Sequence, residues 1–591
     1  MSVPMRMIVA VAVLAASLLG PAVPARADGA MSGADVTVAQ SLGARELTVV
    51  LRRVAGVPGP LHVDVITHAG SPAGTLRLTA VPAGEGVPSG ADLTLRPDPG
   101  PHAATLGVDR PGPWELTIGD GERTARIPFV VHAPTLSPAE RYVYGGFVAA
   151  GLCLAIALGV ALAARRPEWT AVPGAGVAAG VAVAVAMALL SASQPAPPSA
   201  GADLDPTVAN AADPYANPPR AVTLSRPPVT LTVRQRPLTA GVPATVDLDV
   251  TDAANGLPAD DLIVHDGGLM HLMVVSPSGR LWHLHPIRVA PGRFQVMFTP
   301  DAAGEYAVTA EVARRGGGVQ LLRAPSGPTA GGESGVAVAP LSIRESRAVD
   351  GVEVQVAMAD PVAGAPVTLR ARIGDEADLQ PWLGMLGHLI VVGPLTGGAG
   401  DAPLWMHAHA MDSATAMPAH DMAGMAGMGM VPMADALGES LPDETVAAFG
   451  PGVGFTMSFP EPGRYRMWLQ AEKDYRIVTV PIAVDVRPAP PSDVDGRERV
   501  AAVAPERART GAADLTVTVT RRDGTAETAP RVDVQALLPT MGYASPVLTG
   551  VAQGGGRFRV ENVPLMSAGG WQLRITPPGG TPMTVPFSVT D

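Results

Sequence analysis

Cysteine, charge and aromatic side chains are all scarce in this chain. A single cysteine, Cys153, lies inside an apolar run among 591 residues. One thiol excludes an intrachain disulfide and a thiolate metal cage. Any soft metal ligand must therefore be methionine, of which there are 23. Charged residues make up 16% and the net charge is -12, so the basic patches that a nucleic-acid partner requires are missing. Aromatics are 4%, whereas 67 glycines and 61 prolines exceed a fifth of the chain. That mixture favours short strands joined by turns over helical bundles. There is no Gly-x-Ser-x-Gly elbow, zincin helix or phosphate loop. The expectation is a protein that is not an enzyme. A tris-histidine metal site activating water is the one exception to weigh, with Asp266 and Asp412 as the nearby carboxylates.

Long apolar runs are few but informative. The N-terminus has a charged start at Arg6, an apolar stretch over 7–19 and a small-x-small site at Ala25-Arg26-Ala27. This reads as a secretory signal peptide over residues 1–27, the alternative being an uncleaved anchor. Two uncharged segments, 142–164 and 171–192 within 141–193, are long enough to span a bilayer. Arg165 and Arg166 mark the loop between them as cytoplasmic, and Tyr142, Tyr144 and Trp169 suit the headgroup zone. Gly176 and Gly180 form a small-xxx-small pair that would let the helices approach. Residues 28–140 and 195–591 then lie outside a cytoplasmic (inner) membrane, on its periplasmic side.

Outside the helices the chain reads as strands. VTLTV, ATVDLDV, HLMVV, FQVMF and YAVTAEV alternate and are separated by Gly/Pro/Asp turns. Four segments share a weak repeat: a strand, a glycine turn, then Trp114, Tyr306, Tyr465 or Trp571 opening the next strand. The fold class expected is mostly β, with immunoglobulin-like β-sandwich domains plus a two-helix transmembrane hairpin, the four aromatics packing at corners in the core. The domains expected are 28–140, 221–345, 350–488 and 511–591. Linkers are read at 194–220, at the Gly-rich 315–335 and at 489–510.

Two hairpins carry histidine. LMHLMVVSPSGRLWHLHP, residues 269–286, places three of the chain's twelve histidines within fifteen positions. Strand alternation puts Leu272, Val274, Trp282 and Leu284 on one face and His271, Met273, His283 and His285 on the other. If the SPSGR turn centres near Ser278, His271 opposes His285 and Met273 opposes His283, within chelating reach. The pattern recurs as MLGHLIVV with Met385 and His388, and LWMHAHA with Met406, His407 and His409. The run over 405–433 holds eight methionines and three histidines, adding Met411, Met417, His420, Met422, Met425, Met428, Met430 and Met433. Imidazoles suit zinc, copper and nickel, and thioethers select Cu(I). Copper, as Cu(I) or Cu(II), is the expected ion, with zinc the alternative. A solvated face carrying histidine by chance, and low-complexity filler, are the bland readings of hairpin and loop.

The last domain, with Pro539-Thr540-Met541-Gly542 followed by Tyr543, resembles the YtkA-like family of secreted immunoglobulin-type sandwiches. Many members of that family have histidine where this chain has Tyr543. The hairpin domains, with HLxVV and HxHP, resemble proteins found near copper-handling genes. The N-terminal domain, with GPWELTI, is similar to the same family or to CopC-like sandwiches. A mature chain starting at Asp28 lacks the N-terminal histidine ligand of the latter. The resemblance implies copper sequestration, or delivery to a copper-handling protein partner, by a membrane-anchored protein. A structural or adhesive module is the competing function.

Overall fold

The computed structural model describes residues 35–54, 56–84, 86–131, 137–163, 166–192, 227–234, 236–315, 317–410, 443–488, 499–509, 511–538, 543–545, 547–565, 569–578, 580 and 582–590. The leader at 1–27, the linker at 194–220 and the Pro539–Gly542 motif lie outside them. So do Met411, Met417, His420, Met422, Met425, Met428, Met430 and Met433.

Two compact units result. The first contains the helices Pro138–Ala163 and Ala171–Ala192, both long and apolar enough to cross a membrane. Ser137 and Glu140 start the first helix as a capping box. The Glu140 N–H donates to Ser137 Oγ at 3.2 Å and the Ser137 N–H to Glu140 Oε2 at 2.6 Å. The helices touch through small residues. A Cβ added to Gly180 would lie 2.7 Å from the Gly146 carbonyl oxygen, and one on Gly176 2.5 Å from Cys153 Sγ. A larger residue at Gly180 would force the backbones apart, and one at Gly176 would displace the Cys153 side chain.

The second unit holds the β-sandwiches. The N-terminal sandwich spans strands Val36–Leu42 to Thr124–Val131 in two four-stranded sheets. The next two domains share one plan. In the second, strand His271–Val275 pairs with Leu281–Leu284 on one side and Ala307–Arg314 on the other. In the third, Gly387–Gly393 lies likewise between Leu404–Ala410 and Gly463–Lys473. The last domain runs from Arg499–Ala504 to Met583–Thr590.

Two linker assignments need correction. Within 315–335, Gly318–Arg323 is a strand paired along Ala307–Arg314, because its Val-Gln-Leu-Leu run completes the sheet between glycine turns. Within 489–510, Arg499–Ala504 pairs with Gly511–Arg521, so the last domain begins earlier than 511.

The repeated aromatics are core residues. Trp114, Tyr306, Tyr465 and Trp571 are all at most 2% exposed. Three of them bond to the carbonyl four residues upstream. Tyr306 Oη donates to Ala302 O at 2.7 Å, Tyr465 Oη to Glu461 O at 2.9 Å and Trp114 Nε1 to Arg110 O at 3.2 Å. The bond closes the turn that precedes the strand, as in tyrosine corners.

The second and third domains face each other through their hairpins. Met273, Val275 and Leu281 of the first pack with Ile390, Val392, Trp405 and Trp468 of the other. Trp468 Nε1 also donates to Gly279 O in the first hairpin's turn, at 3.2 Å. Trp468→Ala is therefore expected to destabilise the chain by about 3–5 kcal/mol, as for other buried large-to-small changes. Urea unfolding of the detergent-solubilised chain measures it. A loss below about 1 kcal/mol would show that the docked faces contribute little.

Candidate metal centre

The histidine face of each hairpin is buried at this junction rather than solvated. Met273 opposes His283 and Leu272 opposes Leu284, so the pairing places His271 across from His285. In the longer hairpin, His388 opposes His409 and Ile390 opposes His407. The two hairpins thus present the same triangle of imidazoles. Docking of the two domains brings the triangles together in one cluster. Ring centroids of His283 and His407 are 5.0 Å apart, those of His271 and His407 5.3 Å, and those of His283 and His388 5.4 Å. His271, His285, His388 and His407 are at most 1% exposed.

Four of the six rings are oriented by an acceptor outside the cluster. His271 Nε2 lies 3.0 Å from the His265 carbonyl, and His388 Nε2 lies 3.1 Å from that of Trp382. His283 Nδ1 is 2.9 Å from Gln470 Oε1, an amide whose Nε2 donates to Thr479 Oγ1 at 2.9 Å. His285 Nδ1 is 2.6 Å from Glu46 Oε1, on the N-terminal domain. Carbonyl and amide oxygens accept only, so the nitrogen facing each of them carries the proton. The other nitrogen of each ring then turns a lone pair inward.

Those inward nitrogens confront one another. His271 Nδ1 and His283 Nε2 are 3.3 Å apart, as are His388 Nδ1 and His407 Nε2; His407 and His409 Nε2 are separated by 3.2 Å. Between His271 and His283 both tethers leave a lone pair on the facing nitrogens, and lone pairs at that distance repel unless a cation lies between them; no acceptor among the described residues fixes the tautomers of His407 and His409 in this way. Bonds of about 2.0–2.1 Å arranged tetrahedrally would separate nitrogens by roughly 3.3 Å. His285 Nε2 is buried with no hydrogen-bond partner among the described residues. The donor atoms of His271, His283 and His285 lie within 4.8 Å of one another, and so do those of His283, His388 and His407. The residues present therefore fit a transition metal bound by imidazoles.

Electrostatics agrees with neutral rings. Burial, reinforced by the neighbouring imidazoles, holds His271, His283 and His388 well below the ordinary histidine range. Burial and His407 bring His409 down to about 4. Neutral imidazole is the form that binds metal.

The methionines near the hairpins do not share one role. Met406 faces the third domain's core with Ala410 and Phe455. It is one residue out of phase with His407 and points to the opposite side of the sheet, which corrects its assignment as a ligand. Met273 is on the histidine side but packs into the apolar cluster between the hairpins. Met385 is buried and closes a two-residue turn with Trp382.

Several participants had no local signal. The N-terminal domain seals the junction: the Ser41 N–H donates to His285 O at 2.7 Å and the Ala39 N–H to Gly267 O at 2.7 Å. Glu46 belongs to that domain, and Glu311 and Gln470 sit on strands beyond the hairpins. Glu311 opposes His271 and Gln470 opposes His388 across the sheet, a relation visible only once strand order is known.

The N-terminal and third domains also share a buried ion pair, His68 Nδ1 to Glu472 Oε1 at 2.6 Å. Burial opposes the charge on His68, but Glu472 raises its pKa to about 9. A raised histidine stabilises the fold fully below its unfolded value of 6.5 and loses that contribution as pH rises through about 9. The loss is on the order of 3 kcal/mol. It should appear as a falling urea midpoint from pH 6.5 to 9.5 in the parent chain and not in His68→Gln. A parallel decline in both would contradict it.

Comparison with known proteins adds little beyond this. Residues 347–488, the third domain, match the "Domain of unknown function (DUF8832)". No curated protein matches the chain. Similar solved structures include a tetra-tandem repeat in the extending region of a large adhesion protein, at 12% identity and TM-score 0.12, covering 94% of this chain and 99% of that one. The Escherichia coli adhesin FdeC is 14% identical at TM-score 0.14, covering 62% and 99%. The chicken CNTN1 FN1-FN3 domains are 9% identical at TM-score 0.13, covering 61% and 98%.

Proposed function

We propose that this chain is a membrane-anchored, extracytoplasmic protein that binds a transition-metal ion, copper foremost, at the junction of its first three sandwiches. The observation that carries this reading is the cluster of imidazoles at the domain junction, in which His271 and His283 are tethered from outside and turn lone pairs on each other at 3.3 Å. The eight methionines over 405–433 favour copper over zinc, since thioethers are soft donors. The apolar helices would hold the centre on the outer side of a cytoplasmic membrane. Its task there is sequestration, or delivery to a copper-handling partner, rather than catalysis. Bound copper would supply a site for ligand exchange with that partner. The imidazoles fix its position, and the docked domains keep water out.

The test is copper and zinc content of the full chain in detergent after dialysis, beside His283→Ala. Stoichiometric metal in the parent and its loss in the variant support the reading. Tandem sandwiches on an apolar helix pair favour a second one, a structural or adhesive module. Surface adhesion that survives both chelator and His283→Ala, with no metal in the parent, would establish that instead.

A further inference from the structure

The two hairpin domains are related residue by residue around the centre, and the places where they differ are informative. A tight turn precedes each leading histidine by the same interval. His265 and Gly268 exchange backbone hydrogen bonds at 2.8 and 3.0 Å, as do Trp382 and Met385. Both turns have two residues at positive φ, Asp266 at 48° with Gly267 at 75°, and Leu383 at 55° with Gly384 at 78°. So His265 corresponds to Trp382, Asp266 to Leu383, and Glu311 to Gln470, as His271 corresponds to His388. The imidazole triangle is the same in both halves. The second domain adds three ligand-type side chains where the third has an indole, an isobutyl group and a neutral amide.

Those three side chains converge. His265 Nε2 lies 3.0 Å from Asp266 Oδ2 and 4.0 Å from Glu311 Oε1, and the donor atoms of all three lie within 4.8 Å of one another. Two imidazoles of the main centre turn their second nitrogens toward the same place. His407 Nδ1 is 3.4 Å from Glu311 Oε1, and His409 Nδ1 is 3.4 Å from Asp266 Oδ2. Glu311 is 1% exposed, and its Oε1 has no hydrogen-bond partner among the described residues.

We infer that His265, Asp266 and Glu311 form a second metal subsite, joined to the imidazole centre through His407, for a harder divalent ion such as Zn2+ or Mn2+. This inference rests on the metal-binding reading of the main centre. Two carboxylates and an imidazole suit a harder ion than imidazoles alone. The two charges also balance a cation that a cluster of neutral rings would leave uncompensated.

The experiment is Zn2+ stoichiometry at saturation, by elemental mass spectrometry of the full chain in detergent. The parent is compared with Glu311→Gln and with Asp266→Asn, which keeps a residue tolerant of positive φ. Unchanged thermal midpoints of the metal-free variants establish that they fold. Each variant is expected to hold one Zn2+ fewer per chain than the parent while retaining the rest. Equal stoichiometry with ten- to hundredfold weaker affinity, the mark of a carboxylate that only orients His407, overturns the second subsite but not the first. No metal in the parent overturns both.

Discussion

Replacing His283 with alanine is expected to abolish tight metal binding, with affinity falling at least about a hundredfold. This residue is the one common to both tris-histidine groups. Its Nε2 faces His271 and its Nδ1 is held by Gln470. Removing it leaves neither group complete. Removing only the tether, with Gln470→Leu, should weaken binding by about ten- to a hundredfold, because the ring then loses its fixed tautomer. Met273→Leu should leave affinity unchanged, since Met273 packs among apolar side chains. Competition titration against a chelating dye gives all three values. Equal binding by the parent and His283→Ala would show that these imidazoles are not the ligands.

Mild acid is expected to unfold the metal-free chain from this junction. His271, His283 and His388 have folded-state pKa values well below the ordinary one. The unfolded chain therefore takes up protons near pH 6.5 that the folded chain refuses. With more protons bound in the unfolded state, stability falls as pH falls. The slope approaches about 1.4 kcal/mol per pH unit for each ring, or roughly 4 kcal/mol per unit for three, below pH 6.5. A marginally stable fold cannot absorb that for long. The His68–Glu472 pair is fully favourable in the same range and does not counter the trend. Urea midpoints at pH 7.5, 6 and 5 measure it. A flat profile would mean that the rings are hydrated or charged in solution. Bound metal should shift the transition toward lower pH, since it stabilises the neutral-ring fold by mass action.

Much of this centre is legible in the order of residues, for a physical reason. A β-strand alternates faces with period two, so HLMVV and LWHLH announce an apolar side and a histidine side without further information. A turn of five residues is short enough to set the register. The corner aromatics are equally local, because each closes a turn onto the carbonyl four residues back. What alternation cannot convey is what covers the histidine face. The same pattern suits a solvated sheet or an interface, and here each hairpin covers the other. Residues that tether the rings come from other strands, as Glu311 and Gln470 do, or from another domain, as Glu46 does. Met406 illustrates the opposite error: composition grouped it with the neighbouring histidines, whereas strand phase sends it into the core. Glycine content likewise suggested a linker where Gly318–Arg323 adds a strand. Glycine there ends and begins strands rather than separating domains.

X-ray absorption at the copper edge of the full chain, loaded with one equivalent of Cu2+ in detergent, tests the central claim most directly. At least three imidazole ligands at about 2.0 Å are expected, with their multiple-scattering signature lost in His283→Ala. A spectrum showing only solvent or carboxylate oxygen, unchanged by that substitution, would contradict it.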